Sequence, residues 1–221
     1  MDEVWCMSHV DPDDDTPSIQ SITVTAYVDA EAASHHLGGS DLRMLDEDRY
    51  GLKVGRALVL RYCVPDFSID GMDRQDVEII DAADHEGREV FDAMRRSDAI
   101  TGARRSNGII ITKSMHVVPS MRGNRISARI LQEIRRLHCG MAFHYAHRSI
   151  PQECASLRDD FAASFERLRQ TYLSAGIGLA VPDEDEHPEV MTAYWDGHDG
   201  SYHPCHINWQ KVAHGGIRIA A

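Results

Sequence analysis

The chain has 221 residues, 43% apolar and 26% charged, a balance that supports one packed domain with sizeable loops and excludes wholesale disorder. Its formal net charge of −12 argues against a surface built to clamp duplex phosphates and favours cationic partners such as protonated amines. No stretch approaches the ~20 apolar residues needed to cross a bilayer, and the acidic start Met1-Asp2-Glu3-Val4-Trp5 lacks the regions of a secretory leader, so a cytoplasmic protein without a membrane partner is expected. The cysteines (Cys6, Cys63, Cys139, Cys154, Cys205) are scattered with no Cys-x-x-Cys pair, which points to isolated thiols rather than a disulfide framework.

In chain order, residues 1–18 are acidic and proline-bearing, and are expected to form a flexible lead-in. Residues 19–28 place Ile22, Val24, Ala26 and Val28 at a period of two, which predicts a strand. The stretch from His36 to Arg56 is glycine-rich and charged, with one short helix expected around Leu42 to Asp48. Residues 57–64 predict a second strand stopped by Pro65, and residues 76–81 a third. Residues 87–98 have helical composition. From Gly108 the signals sharpen: a strand from Ile109 to Val118 ends at Pro119, and a helix from Arg125 to His138 carries Ile126, Ile130, Leu131, Ile134 and Leu137 on one stripe. Residues 141–146 predict a strand and residues 153–175 a long helix with Leu157, Phe161, Phe165, Leu168 and Tyr172 on one face. Strands are expected over 177–181, 189–195 and 216–220. Strand and helix alternate over 108–181, which argues for an α/β domain, taken as a single unit spanning 19–221.

The segment Val117-Val118-Pro119-Ser120-Met121-Arg122-Gly123-Asn124-Arg125-Ile126-Ser127 joins a strand to an amphipathic helix by a tight turn. The first turn of a helix presents unpaired N–H groups at the positive end of its dipole, an arrangement suited to a phosphate or diphosphate. Gly123 permits close backbone approach, Arg122 and Arg125 add positive charge, and Ser127 offers a hydroxyl.

This segment resembles the coenzyme A-binding motif of the GNAT superfamily of N-acetyltransferases. Val117, Pro119, Arg122, Gly123, Ile126, Ile130 and Leu131 match in register. Arg125 stands where the family most often has its second glycine, and Ser127 where it has Gly or Ala. Downstream, Thr171-Tyr172-Leu173-Ser174-Ala175-Gly176-Ile177 resembles the family's Leu-Tyr-x-x-x-Gly-Phe at the end of a helix. The similarity covers the core 108–181; residues 30–107 do not resemble the family's usual opening.

The resemblance implies a mixed, mostly antiparallel sheet flanked by helices, with strands splayed at the cofactor site. It implies an acyl-CoA co-substrate, acetyl-CoA first, whose pantetheine arm lies along the backbone of Met115, His116, Val117 and Val118. Its diphosphate would lie on Arg122, Gly123 and the N–H groups of Asn124, Arg125, Ile126 and Ser127. A small-molecule or protein amine attacks the thioester directly. By the same resemblance Tyr172 takes the place of the family's frequent general acid; by periodicity alone it belongs to the core stripe. No Glu lies on Thr112-Lys113-Ser114-Met115-His116, so His116 is the candidate base, with His144 and Glu78 behind it and a base from the N-terminal half acting through water as an open alternative. Two alternatives remain open: a GNAT-like enzyme of phage type that modifies nucleic acid, supported by the doublets Arg95-Arg96, Arg104-Arg105 and Arg135-Arg136, and a non-catalytic acyl-CoA-binding module. A homodimer is compatible with either. His198, His203, Cys205 and His206 crowd the tail, but their spacing matches no metal-site pattern, and a polar loop is expected rather than a zinc site.

Overall fold

The computed structural model describes residues 4–12, 19–43, 45–62, 90, 108–148, 161–174, 190–195 and 205–215. In chain order these carry β1 (Val4–Pro12), β2 (Ile19–Val28), α1 (Ala30–Ser34), α2 (Gly39–Leu42), β3 (Glu47–Asp48), β4 (Gly51–Tyr62), β5 (Ile109–Val117), a 3-10 turn (Pro119–Met121), α3 (Ile126–Leu137), β6 (Phe143–Arg148), α4 (Phe161–Ser174), β7 (Val190–Trp195) and α5 (Trp209–Gly215). The architecture is α/β, with a mixed, mostly antiparallel open sheet of seven strands in the order β1-β2-β4-β5-β6-β7, and β3 beside β4. Every ladder is antiparallel except β5 with β6. That parallel pair needs a crossover, and α3 lies within it in the chain.

Alternation sets the faces. Ile22, Val24, Ala26 and Val28 are buried along β2, and Leu52, Val54, Ala57 and Val59 along β4. The stripe of α3 buries Ile126, Ile130, Leu131 and Ile134 in the same core as these strand residues. One glycine makes the docking close. A Cβ on Gly55 of β4 would lie 3.1 Å from Ile126 Cγ2 and 3.2 Å from both Ile130 Cδ1 and the His116 carbonyl oxygen.

The structure differs from the sequence expectations in several places. Val4–Pro12 is no loose lead-in but an edge strand, paired from Val4↔Val28 to Pro12↔Gln20. Its acidic and proline residues obscured a register that β2's free edge completes, and an edge strand tolerates both. The short helix lies at Gly39–Leu42 rather than from Leu42 to Asp48, because Glu47 and Asp48 are held in a ladder by β4. Strand β4 starts at Gly51, well before residue 57, since its partner β2 extends to Val28. Strand β6 spans Phe143–Arg148, two residues later than expected, because Gly140 has a positive φ of 82° and still belongs to the turn. The tail contains α5, opened by Asn208, whose Oδ1 accepts from the Lys211 N–H at 3.0 Å. The expectations for 76–81, 177–181 and 216–220 lie outside the described residues, as do those for 87–98 apart from Val90, which is helical and buried. No helix among the described residues is long and apolar enough to cross a membrane.

Candidate functional site

Strands β5 and β6 share a short parallel ladder. It runs from Ile109↔His144 to Thr112↔His147, one residue before β6 reaches Arg148, its last described residue. At the next residue β5 is bulged against its other neighbour: Val59 pairs with Thr112 and Leu58 with Ser114, leaving Lys113 extra. A bulge bends and twists its strand, and this one coincides with the last described rung between β5 and β6. Beyond it Met115 and Val117 still face Ala57 and Gly55 of β4, while their other edge has no strand partner among the described residues. Backbone polar groups along such an edge need partners from elsewhere.

The turn that follows is tightly built. Val118 N–H donates to Val54 O at 3.0 Å, Met121 is fully buried, and Asn124 locks the loop. The Asn124 amide nitrogen donates to Met121 O at 2.9 Å, its Oδ1 accepts from Asn208 N–H at 2.8 Å, and its backbone carbonyl accepts from the Cys205 thiol at 2.8 Å. Asn124 is therefore buried and committed to tying residues 205–208 onto the turn. Arg122 Nε donates to Val117 O at 3.3 Å. Gly123 and Arg125 are exposed and Ser127 is half-buried.

Arg125 is a correction. It was expected inside the first helical turn, but it is the N-cap of α3, left-handed at φ 61° and ψ 17°, with no side-chain cap on the N–H groups that follow. A Cβ in that conformation costs roughly 1–2 kcal/mol, partly offset in a Gly variant by the freer unfolded chain. Arg125→Gly is expected to raise stability by up to ~1 kcal/mol in urea titration. A loss of stability would instead assign the guanidinium a structural role larger than the backbone strain.

Beside the last described β5–β6 rung stands a buried cluster. Tyr172 of α4, fully buried, donates its hydroxyl to Met115 Sδ at 3.7 Å, and its oxygen lies 3.5 Å from His147 Nε2. The His147 and Tyr172 rings meet edge to face, with centroids 5.6 Å apart. Beside them Thr112 Oγ1 and Tyr145 Oη are 2.8 Å apart. Burial pushes the Tyr172 phenol far above its ordinary value and His147 down to about 4, so both are neutral at pH 7. His116, half-buried on β5, is lowered by burial and then by the nearby Arg122, which leaves its imidazole a free base around neutrality.

His147 binds a proton more weakly folded than unfolded, so its contribution is complete above pH ~6.5 and stability is lost as pH falls from there towards 4. His138, lowered chiefly by burial, acts in the same direction. The midpoint of urea unfolding is expected to fall across that window, and His147→Gln to flatten part of the slope. An unchanged slope in the variant would assign the acid sensitivity to other groups.

Of the expected site residues, Met115 lies against Tyr172, while His116, the next residue of β5, has Arg122 as its charged neighbour; Val117 and Val118 lead into the turn of Arg122, Gly123 and Arg125, and Ile126 and Ser127 open α3, with Asn124 buried beneath. His144 stands apart, its ring against Tyr194 at 5.1 Å, and Glu78 lies outside the described residues. Two residues were missed. His147 fell one residue past the expected strand end, although alternation with Tyr145 signals it. Lys211, whose Nζ would lie 3.0 Å from a Cβ on Gly123, carried no sequence signal. Of the basic doublets, Arg136 is paired with Glu133 at 2.7 Å and the Arg135 guanidinium lies over Trp195 at 6.0 Å, both intramolecular engagements; the other two lie outside the described residues. In the tail Cys205 is buried against Asn124 and His206 is exposed, while His198 and His203 lie outside the described residues. No family model, curated protein or solved structure matches the chain.

Proposed function

We propose that the protein is an acyl-CoA-dependent N-acyltransferase of GNAT type, acting on a primary amine in a ternary complex. The observation that carries this reading is the ending of the β5–β6 ladder at Thr112/His147, followed directly by an uncapped helix start after Pro119. The edge of β5 at Met115 and Val117, without a strand partner among the described residues, offers hydrogen-bonding groups to an amide-bearing arm, and the N–H groups opening α3 suit a diphosphate. The left-handed conformation of Arg125 supports the resemblance further, since glycine is what the family carries there and glycine enters that conformation without strain.

In this reading a thioester carbonyl lies in the gap beside Tyr172. His116 takes a proton from the ammonium, directly or through water; the amine nitrogen bonds to the carbonyl carbon as the carbon–sulfur bond breaks, and the nitrogen's surplus proton passes through water to the departing thiolate, which leaves as the thiol. Because burial makes the phenol a weak acid, Tyr172 acts as a hydrogen-bond donor to the departing sulfur rather than as a full proton donor. Native mass spectrometry with acetyl-CoA and CoA, followed by a thiol-release screen over amines, tests it. One bound acyl-CoA and amine-dependent thiol release are expected. Absence of any acyl-CoA binding would remove the proposal.

A further inference from the structure

His147 has one ring nitrogen accounted for and one not. Its Nε2 faces the Tyr172 oxygen at 3.5 Å, while Nδ1 is buried with no hydrogen-bond partner among the described residues. The residue is 1% exposed. A buried N–H left without an acceptor is rarer and costlier than a buried lone pair left without a donor. The ring proton therefore belongs on Nε2, the nitrogen with a neighbour. Tyr172 agrees with this from its own side. Met115 Sδ, which can only accept, lies 3.7 Å from the phenolic oxygen, so the hydroxyl hydrogen has a place there and the oxygen has a lone pair to offer the imidazole. Alternation on β6 and the last described rung of the parallel ladder, Thr112↔His147, fix the position of the ring.

We propose that His147 is a positioning residue: as the Nε2–H tautomer it donates to Tyr172 Oη and so turns the phenolic hydrogen towards Met115 on β5. The inference rests on the acyltransferase reading for its consequence, but the hydrogen bond itself does not. A phenol rotor without this donor has two acceptors within reach, Met115 Sδ and His147 Nε2, and spends part of its time turned away from the gap. With the donor in place only one orientation is productive, which is what a group aimed at a departing sulfur requires.

The test has two arms on the full chain. Long-range nitrogen–proton correlation spectra of selectively labelled histidine, assigned through loss of one signal in His147→Gln, report the tautomer without reference to activity. A proton on Nε2 is expected; a proton on Nδ1 overturns the proposal whatever the protein catalyses. In the kinetic arm, His147→Phe is expected to lower kcat about tenfold or more with KM for acyl-CoA held within about twofold, as for other supporting hydrogen bonds. His147→Gln, whose amide N–H can replace the donor, is expected to recover most of that loss. In a Tyr172→Phe background, itself slowed with acyl-CoA affinity nearly intact, His147→Phe should cost nothing further. Equal losses in both backgrounds, or no recovery by Gln, would overturn the positioning role. If no amine is turned over, the acyltransferase reading fails and the tautomer result still decides whether His147 orients Tyr172.

Discussion

Gly55→Val is expected to destabilise the fold by about 3 kcal/mol or more, enough to remove much of the stability of an ordinary domain. The position leaves no room for branching. Even a single Cβ would sit 3.1 Å from Ile126 Cγ2 and 3.2 Å from the His116 carbonyl oxygen, and the latter is backbone and cannot rotate aside. Two further methyls would push α3 away from β4 or the Gly55↔Val117 rung apart. Either movement also displaces Ile126, the first residue of the helix whose N–H groups face the candidate diphosphate site. Gly55→Ala, which asks its neighbours for only a few tenths of an ångström, is expected to lose about 1 kcal/mol. Urea titration of the three proteins measures the series. A valine variant within ~1 kcal/mol of the parent would mean that α3 does not seat against β4 at this glycine.

Gly123→Glu is expected to weaken acyl-CoA binding at least ~1,000-fold, a change of about 4 kcal/mol. Three effects act together. The backbone at Gly123 has φ 82°, where a side chain is strained. The new carboxylate would stand at the mouth of the turn, beside the groups proposed to hold a diphosphate. It would also engage Lys211, whose Nζ would lie 3.0 Å from the added Cβ, and so withdraw a cation from the same place. Gly123→Asn separates charge from conformation, because asparagine tolerates the left-handed region and carries no charge; its affinity is expected to fall far less. Isothermal titration with acetyl-CoA gives both constants. Parent-like affinity in the glutamate variant would place the diphosphate elsewhere.

The two glycines illustrate different kinds of legibility. Gly123 could be singled out from the chain because a glycine between a strand-ending proline and an amphipathic stripe has a local meaning. Its φ and exposure agree with that meaning. Gly55 could not, because what it touches is a helix some seventy positions downstream, and only packing makes its missing Cβ matter. The same contrast separates β2, whose alternation is written in its own residues, from β1. Val4–Pro12 has apolar residues interrupted by acidic and proline positions, and becomes a strand because β2 presents an unpaired edge to it.

The candidate site divides along the same line. The order of strand, proline turn and helix over 109–137, the buried stripe of α3, and the special character of the Arg122–Ser127 turn are local properties, set by periodicity and turn chemistry within a dozen residues. Which strands run parallel, where the rungs of β5 with β6 fall, and which side chains gather beside them depend on pairings across long separations. Tyr172 meets Met115 and His147 across separations of 57 and 25 residues, so their meeting depends on how the helix docks on the sheet. Likewise Lys211 reaches Gly123 only because Asn124 accepts the Asn208 N–H and fastens the tail to the turn. Local free energies act along the chain and can be summed from it; contacts between distant segments exist only once the whole sheet has chosen its register.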